Sequence, residues 1–147
     1  MQGSIATRWQ LVLERYDEDA LYLAAGAPRR WYAPGGGGFA VEGAATRFGA
    51  VSVAVSNAAA VGGGAGEDAT AAVGFAPWPP GASPGVNATP AFALRLRGSD
   101  RHLALVPASV SVTTGATLLS VDVARERVWV ALTGTGAATF TVTAQLR

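Results

Sequence analysis

Apolar and polar residues alternate with a period of two along most of the chain, which is the pattern of strands that bury one face. Residues 39–45 and 48–57 are two such runs, and in the second Val51, Val53 and Val55 alternate with serine and alanine. The C-terminal half continues the period, with apolar positions at Phe92, Leu94, Leu96, Leu103, Leu105, Val110, Val112, Leu119, Val121, Val123, Val128, Val130, Leu132, Phe140, Val142, Ala144 and Leu146. We therefore predict an all-β fold, a single-domain antiparallel two-sheet β-sandwich of about eight or nine strands with these positions on its inner faces.

The N-terminal part predicts a hairpin followed by a corner. Residues 7–16 alternate like a strand, although their leucine and glutamate also favour a helix, and residues 21–23 resume the apolar pattern. The three acids between them, residues 17–19, are adjacent and lack the spacing of a calcium loop, so we interpret them as a solvated turn. Because Pro28 fixes its own φ angle, residues 29–32 are predicted to form a short turn or a single helical turn.

Residues 58–90 interrupt the regular pattern. Residues 58–69 are rich in alanine and glycine and predict a loop, residues 70–75 return to strand character, and residues 76–90 carry five of the eight prolines. We place the β-sandwich domain at residues 5–147, with a long Gly/Pro-rich excursion at 58–90. Residues 1–4 (MQGS) are interpreted as the remnant of a cloning tag.

Composition excludes several classes of partner. Arginine supplies all 11 basic side chains against 10 carboxylates, so the chain lacks the positive excess that nucleic-acid binding requires. No run approaches the roughly 18 apolar residues of a membrane span, so no membrane partner is expected. The absence of cysteine excludes thiolate catalysis and cysteine-ligated zinc and leaves the cellular compartment open. No cofactor is expected.

Catalysis would need a nucleophile with a base, a pair of carboxylates or a set of metal ligands. The single histidine, His102, follows Arg101 in a turn and is typical of a solvated residue. Four of the carboxylates fall on separate predicted strands or turns: Glu14, Glu42, Asp122 and Glu126. We therefore predict no catalytic residue, no metal site and no enzymatic activity.

Aromatic side chains are better candidates for a site, because sugar rings stack on exposed tryptophan and tyrosine. Trp31, Tyr32 and Trp78 fall in predicted turns, while Trp129 lies between Val128 and Val130 and points to the opposite face. These four residues are the carbohydrate-binding candidates. Turn aromatics also commonly cover the open edge of a sandwich core, and a buried Trp129 would imply a different strand register.

The order of motifs resembles one family of domains. A hairpin ending in LYLAAGAPRRWYAP, a glycine-rich turn, FAVEGAATRFGAVSVAVS, then FALRLRG and a valine-rich strand pair are similar to the C-terminal β-sandwich that accompanies (α/α)6-barrel glycoside hydrolases and related six-hairpin glycosidases. The likeness runs from about Leu21 onward and is sharpest at residues 28–31 and 46–52. The chain departs from that pattern in having no barrel and in the length of residues 58–90.

The resemblance implies a role for this chain. In such enzymes the acid and base belong to the barrel and the sandwich is an accessory module, so Arg30 and Trp31 would form a structural or interface corner. The domain-interface candidates are Arg29, Arg30, Trp31, Arg47 and Phe48. We expect a noncatalytic accessory domain that supports a neighbouring catalytic domain. Two alternatives remain: a carbohydrate-binding module with a polysaccharide partner, and a self-assembly or adhesion domain that uses an alanine- and valine-rich face.

Overall fold

The computed structural model describes residues 11–15, 17–60, 65–79 and 89–147, which form two five-stranded sheets around a shared core. The strands of these residues are β1 (Val12–Glu14), β2 (Ala20–Leu23), β3 (Phe39–Ala45), β4 (Gly49–Ala59), β5 (Glu67–Pro77), β6 (Ala91–Arg95), β7 (Ser111–Val112), β8 (Ala116–Asp122), β9 (Arg127–Leu132) and β10 (Ala138–Leu146). Two short 3₁₀ helices cover Arg29–Tyr32 and Pro107–Ser109. The predicted all-β sandwich is confirmed, with ten described strands instead of eight or nine. Within the same residues, no helix is long and apolar enough to cross a membrane.

The strand order shows how the chain alternates between the sheets. Sheet A has the order β1-β2-β6-β9-β8, and sheet B has the order β3-β4-β5-β10-β7. All neighbouring pairs are antiparallel except β2 with β6, which are parallel. A parallel pair needs a long crossover connection, and here strands β3 to β5 of sheet B lie between the two partners in sequence.

The predicted N-terminal hairpin is present. Strands β1 and β2 pair with Leu13 opposite Tyr22, and the acidic residues form the turn between them. The guanidinium of Arg15 pairs with the carboxylate of Glu18 at 3.0 Å across this turn. The predicted start of the first strand, at residues 7–10, and the interpreted tag at residues 1–4 lie outside the described residues.

Strands β3, β4 and β5 form a continuous antiparallel meander in sheet B. β3 covers the predicted residues, and Val51, Val53 and Val55 of β4 point into the core as their alternation predicts. β5 has 11 residues, so strand structure extends well beyond the predicted 70–75. The predicted Gly/Pro-rich excursion at 58–90 is therefore corrected: paired strand occupies its middle, because β5 finds partners in both β4 and β10. The parts of that excursion at residues 61–64 and 80–88 lie outside the described residues.

Three phenylalanines join the two sheets at the centre of the core. Phe92 on β6 of sheet A contacts Phe75 on β5 and Phe140 on β10, with ring centroids 5.7 Å apart in both pairs. Phe92 is fully buried. Since β6 is the middle strand of sheet A, this contact couples the centres of both sheets.

Two predicted inward positions are wrong. The pairing of β8 with β9 shifts register between Leu118 and Ser120, so the extra residue Leu119 has no partner. Such a bulge interrupts the period of two, and Leu119 is 56% exposed although it was predicted to face the core. Val123, which follows the strand, is also largely exposed.

Candidate functional site

The residues after Pro28 form a rigid corner, as predicted. The 3₁₀ helix Arg29–Tyr32 begins after Pro28, whose ψ of 148° is extended, and it ends at Ala33, whose backbone N–H donates to the carbonyl of Arg30. Since proline cannot donate a backbone hydrogen bond, it suits the position before such a short helix. We call residues 28–34 the corner.

Two side chains fasten the corner to sheet A. Arg29 pairs with the carboxylate of Glu126 at 3.1 Å and donates to the carbonyl oxygen of Gly98 at 3.0 Å. The Tyr32 hydroxyl donates to the carbonyl oxygen of Arg95 at 2.8 Å, and its side chain is fully buried. Tyr32 is therefore wrong as a carbohydrate-binding candidate, because no sugar can reach its ring. The guanidinium of Arg29, a predicted interface residue, is already paired with groups of this domain.

The other two side chains of this 3₁₀ helix remain accessible, Arg30 more than Trp31. Arg30 is exposed, and its guanidinium forms no ion pair with the described residues. Trp31 is half-buried and packs on Phe39, with ring centroids 5.6 Å apart. The structure thus leaves Arg30 and part of Trp31 available for a partner.

Alkaline pH is expected to destabilise the domain through Tyr32. Burial raises the pKa of Tyr32 well above its usual value, against the opposing effect of the neighbouring positive charges of Arg97 and Arg95. The folded chain keeps this proton at a pH where the unfolded chain loses it. The free energy of unfolding should therefore fall by about 1.4 kcal/mol for each pH unit above about 10. Urea unfolding measured across this range tests the expectation.

The control is Tyr32→Phe, which has no phenolic proton. This variant should be about 1 kcal/mol less stable at neutral pH, because the carbonyl of Arg95 loses its donor. Its stability should decline less steeply above about pH 10. Burial also raises the pKa of Tyr22, so some decline remains, and the difference between the two slopes isolates Tyr32. Equal slopes would contradict the assignment.

Arg47 and Phe48 connect the β3–β4 turn to the rest of the domain. Phe48 is 2% exposed and belongs to the core, so it is wrong as an interface candidate. The Arg47 backbone N–H donates to the Glu14 carboxylate at 2.9 Å, its guanidinium donates to the backbone oxygen of Glu18, and the same group lies over the Phe48 ring. Arg47 is half-buried and ties this turn to the first hairpin.

Trp78 covers the same turn from the end of β5. The indole N–H of Trp78 donates to the carbonyl oxygen of Thr46 at 2.7 Å. Its backbone N–H donates to the carbonyl oxygen of Phe48 at 3.3 Å. The side chain is half-buried. Trp78 is therefore fixed to the β3–β4 turn, and only part of its ring is open to a ligand.

Trp129 lies on the outer face of sheet A, as its position between Val128 and Val130 predicts. Both valines are fully buried, whereas Trp129 is half-buried, so the predicted register is confirmed. Its ring meets the edge of Tyr22 at 5.6 Å and 79°, and the guanidinium of Arg127 lies 5.1 Å from the centre of the Tyr22 ring. Of the four aromatic candidates for carbohydrate binding, Trp129 is the one that lies within a sheet and next to charged side chains.

The charges around Tyr22 are partly balanced. The Tyr22 hydroxyl donates to the carboxylate of Glu18 at 2.7 Å, and this hydrogen bond, followed by the one from Arg15, lowers the pKa of Glu18. Burial is the main cause that lowers the pKa of Arg95, and the neighbouring positive charge of Arg97 lowers it further. The outer face of sheet A therefore combines aromatic rings with closely spaced cations.

A buried polar cluster escaped the sequence analysis. The Glu67 carboxylate accepts hydrogen bonds from the Asn57 side chain, at 2.9 Å, and from both the backbone N–H and the hydroxyl of Ser99. Asn57 also donates to the carbonyl oxygen of Arg97 at 2.9 Å. These bonds join the β4–β5 pair of sheet B to the loop after β6 of sheet A. Through these hydrogen bonds the Glu67 carboxylate holds the two sheets together. No local sequence pattern predicts this role for Glu67.

The described carboxylates do not gather around a cleft. Those residues contain no group of three or more His, Cys, Asp or Glu side chains arranged to hold a metal ion. The sheet B face carries a concavity of about 510 Å³, and among its described lining residues Glu42 is the one charged side chain. His102 is exposed, and its backbone N–H donates to the Asp100 carboxylate at 2.8 Å. No arrangement of nucleophile and base is visible among these groups.

The fold defines the chain as an all-β protein of the two-sheet sandwich class. No protein-family model, curated protein or solved structure matches the chain. Function is therefore argued from the surfaces described above.

Proposed function

We propose that this chain is a noncatalytic accessory β-sandwich domain of a carbohydrate-active, glycoside hydrolase-like protein, and that it packs against and supports a neighbouring catalytic domain. The resemblance noted in the sequence motivates the proposal. Its sharpest parts, residues 28–31 and 46–52, include the corner and the turn anchored by Arg47 and Trp78. A support domain needs such rigid surface features, because ordering them on contact would cost binding free energy.

The observation that carries the proposal is the corner itself. Arg29 and Tyr32 fix it from inside, whereas Arg30 is exposed and Trp31, which packs on the edge of the core, keeps part of its ring accessible. Arginine and tryptophan are enriched among the residues that dominate protein interfaces. The corner therefore suits contact with a second domain, with Arg30 pairing to a carboxylate and Trp31 covering apolar surface.

The self-assembly alternative loses part of its basis. The valines of β4 point into the core, so the outer face of sheet B is left with small side chains such as Ser52, Ala54, Ala72 and Thr141. This face therefore keeps the alanines of that alternative but not its valines. The carbohydrate-binding alternative retains Trp31, Trp78 and Trp129, since each is partly accessible.

The test compares the neighbouring catalytic domain with and without this chain, fused or mixed. We expect the chain to raise the melting temperature of that domain, and Arg30→Glu combined with Trp31→Ala to remove most of the increase. The matched control is Arg101→Glu, which makes the same charge change at an exposed turn. The supporting role is wrong if the catalytic domain is equally stable and active without the chain.

A further inference from the structure

Two rows of side chains lie next to each other on the outer face of sheet A. Strand register places Tyr22, Ala93 and Trp129 side by side in one row. The adjacent row places Arg127 between Arg95 on one side and Asp122 on the other. Because residues two apart on a strand share a face, both rows point outward, separated by about 6.7 Å along the strands.

The facing arginines are a repulsive pair within the fold. Arg95 and Arg127 are direct cross-strand partners, and like charges in that position destabilise a sheet. Neither forms an ion pair within 4 Å of a described carboxylate, although Arg127 is attracted to Glu18 and Asp122, and Arg95 to Glu126, over longer distances. The Arg95 guanidinium donates to the carbonyl oxygen of Ala25 at 2.8 Å, which does not neutralise it. An anion bound over this row would relieve the repulsion.

Trp129 supplies an oriented ring beside these cations. Tyr22 is 5% exposed and meets the Trp129 ring edge to face, so it limits how that ring can turn. Leu13 and Leu119, both exposed, lie on β1 and β8 at the two edges of the sheet. A stacking ring with restricted motion costs little conformational entropy on binding.

We propose that the outer face of sheet A binds an acidic polysaccharide, with Trp129 stacked on a sugar ring and Arg127 and Arg95 paired with a carboxylate of the same polymer. Aromatic faces accept the C–H face of a sugar, and guanidinium groups bind carboxylates in a forked geometry. The choice of a glycan rests on the proposed carbohydrate-active setting.

The arrangement of the face favours a glycan over an acidic protein. Trp129 offers a partly accessible ring on a strand, two residues from Arg127. Sugar rings stack on aromatic faces of this kind. The neighbouring cations in turn favour a charged polymer over a neutral one.

The test uses the 147-residue chain and affinity electrophoresis in gels that contain polygalacturonate, its fully methyl-esterified form or polyglutamate. We expect saturable retardation by polygalacturonate, weakened by added salt, and little retardation by the other two polymers. Trp129→Ala and Arg127→Gln should each weaken binding by about tenfold or more. Arg101→Gln, the same charge change at an exposed turn, should bind like the wild type.

Stability measurements separate binding from folding. Arg127→Gln removes the repulsion with Arg95 together with the contact over the Tyr22 ring and the attraction to Asp122. Because these effects oppose each other, the melting temperature should stay close to that of the wild type while binding falls. Trp129→Phe, which keeps a ring on Tyr22, should fold and retain part of the binding. Absence of binding to polygalacturonate, equal binding to polyglutamate, or full binding by Trp129→Ala would overturn the proposal. These results concern the isolated chain, so they are distinguishable from the neighbour-stability test, which depends on Arg30 and Trp31.

Discussion

Replacing Phe92 with alanine is expected to lower the free energy of unfolding by about 3–5 kcal/mol, the largest effect of any single substitution considered for this chain. Phe92 is fully buried on the middle strand of sheet A and contacts Phe75 and Phe140 across the core. The truncation removes the buried ring, leaves a cavity between the sheets and abolishes both aromatic contacts. Urea unfolding followed by tryptophan fluorescence measures the change.

The matched control is Phe92→Leu, which keeps most of the volume. It should cost clearly less than the alanine variant, because a leucine fills part of the space that alanine leaves empty. A domain of this size has a total stability of about 5–15 kcal/mol, so Phe92→Ala should remove about a fifth of it or more. A loss below about 1.5 kcal/mol would mean that the two sheets do not depend on this contact.

Replacing Glu126 with alanine is expected to lower the free energy of unfolding by about 2–3 kcal/mol. Its carboxylate pairs with Arg29 and Arg97, each at 3.1 Å, and the Glu126 side chain is 16% exposed. Removal leaves two partly buried guanidinium groups without their carboxylate. We place the loss below the range of a fully buried pair because solvent screens part of the interaction. Thermal and urea unfolding at low salt measure it.

The control for this prediction is Asp68→Ala. Asp68 pairs with Arg147 at 3.2 Å, but both side chains are more than a third exposed, so the loss should be about 0–1 kcal/mol. Glu126→Gln retains the shape of the side chain and removes its charge. High salt should therefore narrow the difference in the free energy of unfolding between the wild type and Glu126→Gln. If Glu126→Ala costs no more than Asp68→Ala, this ion-pair cluster does not fix the corner.

The Glu126 result also bears on function. Glu126 holds Arg29, and Arg29 begins the 3₁₀ helix that presents Arg30 and Trp31. Loosening this anchor should therefore weaken support of a neighbouring domain even though Glu126 itself is not in the outward part of the corner.

Strand identity could be predicted where the alternation was unambiguous. β3 covers the predicted residues, and Val51, Val53 and Val55 of β4 face the core. β8 shows the limit of the same argument, because Leu118 and Leu119 are adjacent and either could belong to the inward series. Pairing with β9 introduces a bulge that leaves Leu119 outside. The sequence carries no signal for that extra residue.

The accessibility of the candidate site residues depended on contacts between distant parts of the chain even more than the strands did. Trp129 was placed correctly on the outer face, since its two neighbours define the register. Tyr32 was predicted at an accessible turn, but the structure buries it against Arg95, which is 63 positions away. Arg29 finds Glu126 at a separation of 97 positions. The local sequence pattern gives no information about partners that lie so far apart in the chain.

The alternation of side chains along the chain determined the all-β class, the location of most strands and most of the buried positions on them, because burial of one strand face depends on a period of two. The tertiary structure decided the parallel pairing of β2 with β6, the bulge in β8, the internal anchors of the corner and the facing arginines of sheet A. These features arise where distant strands meet, and the free energy of each contact depends on both partners being in place.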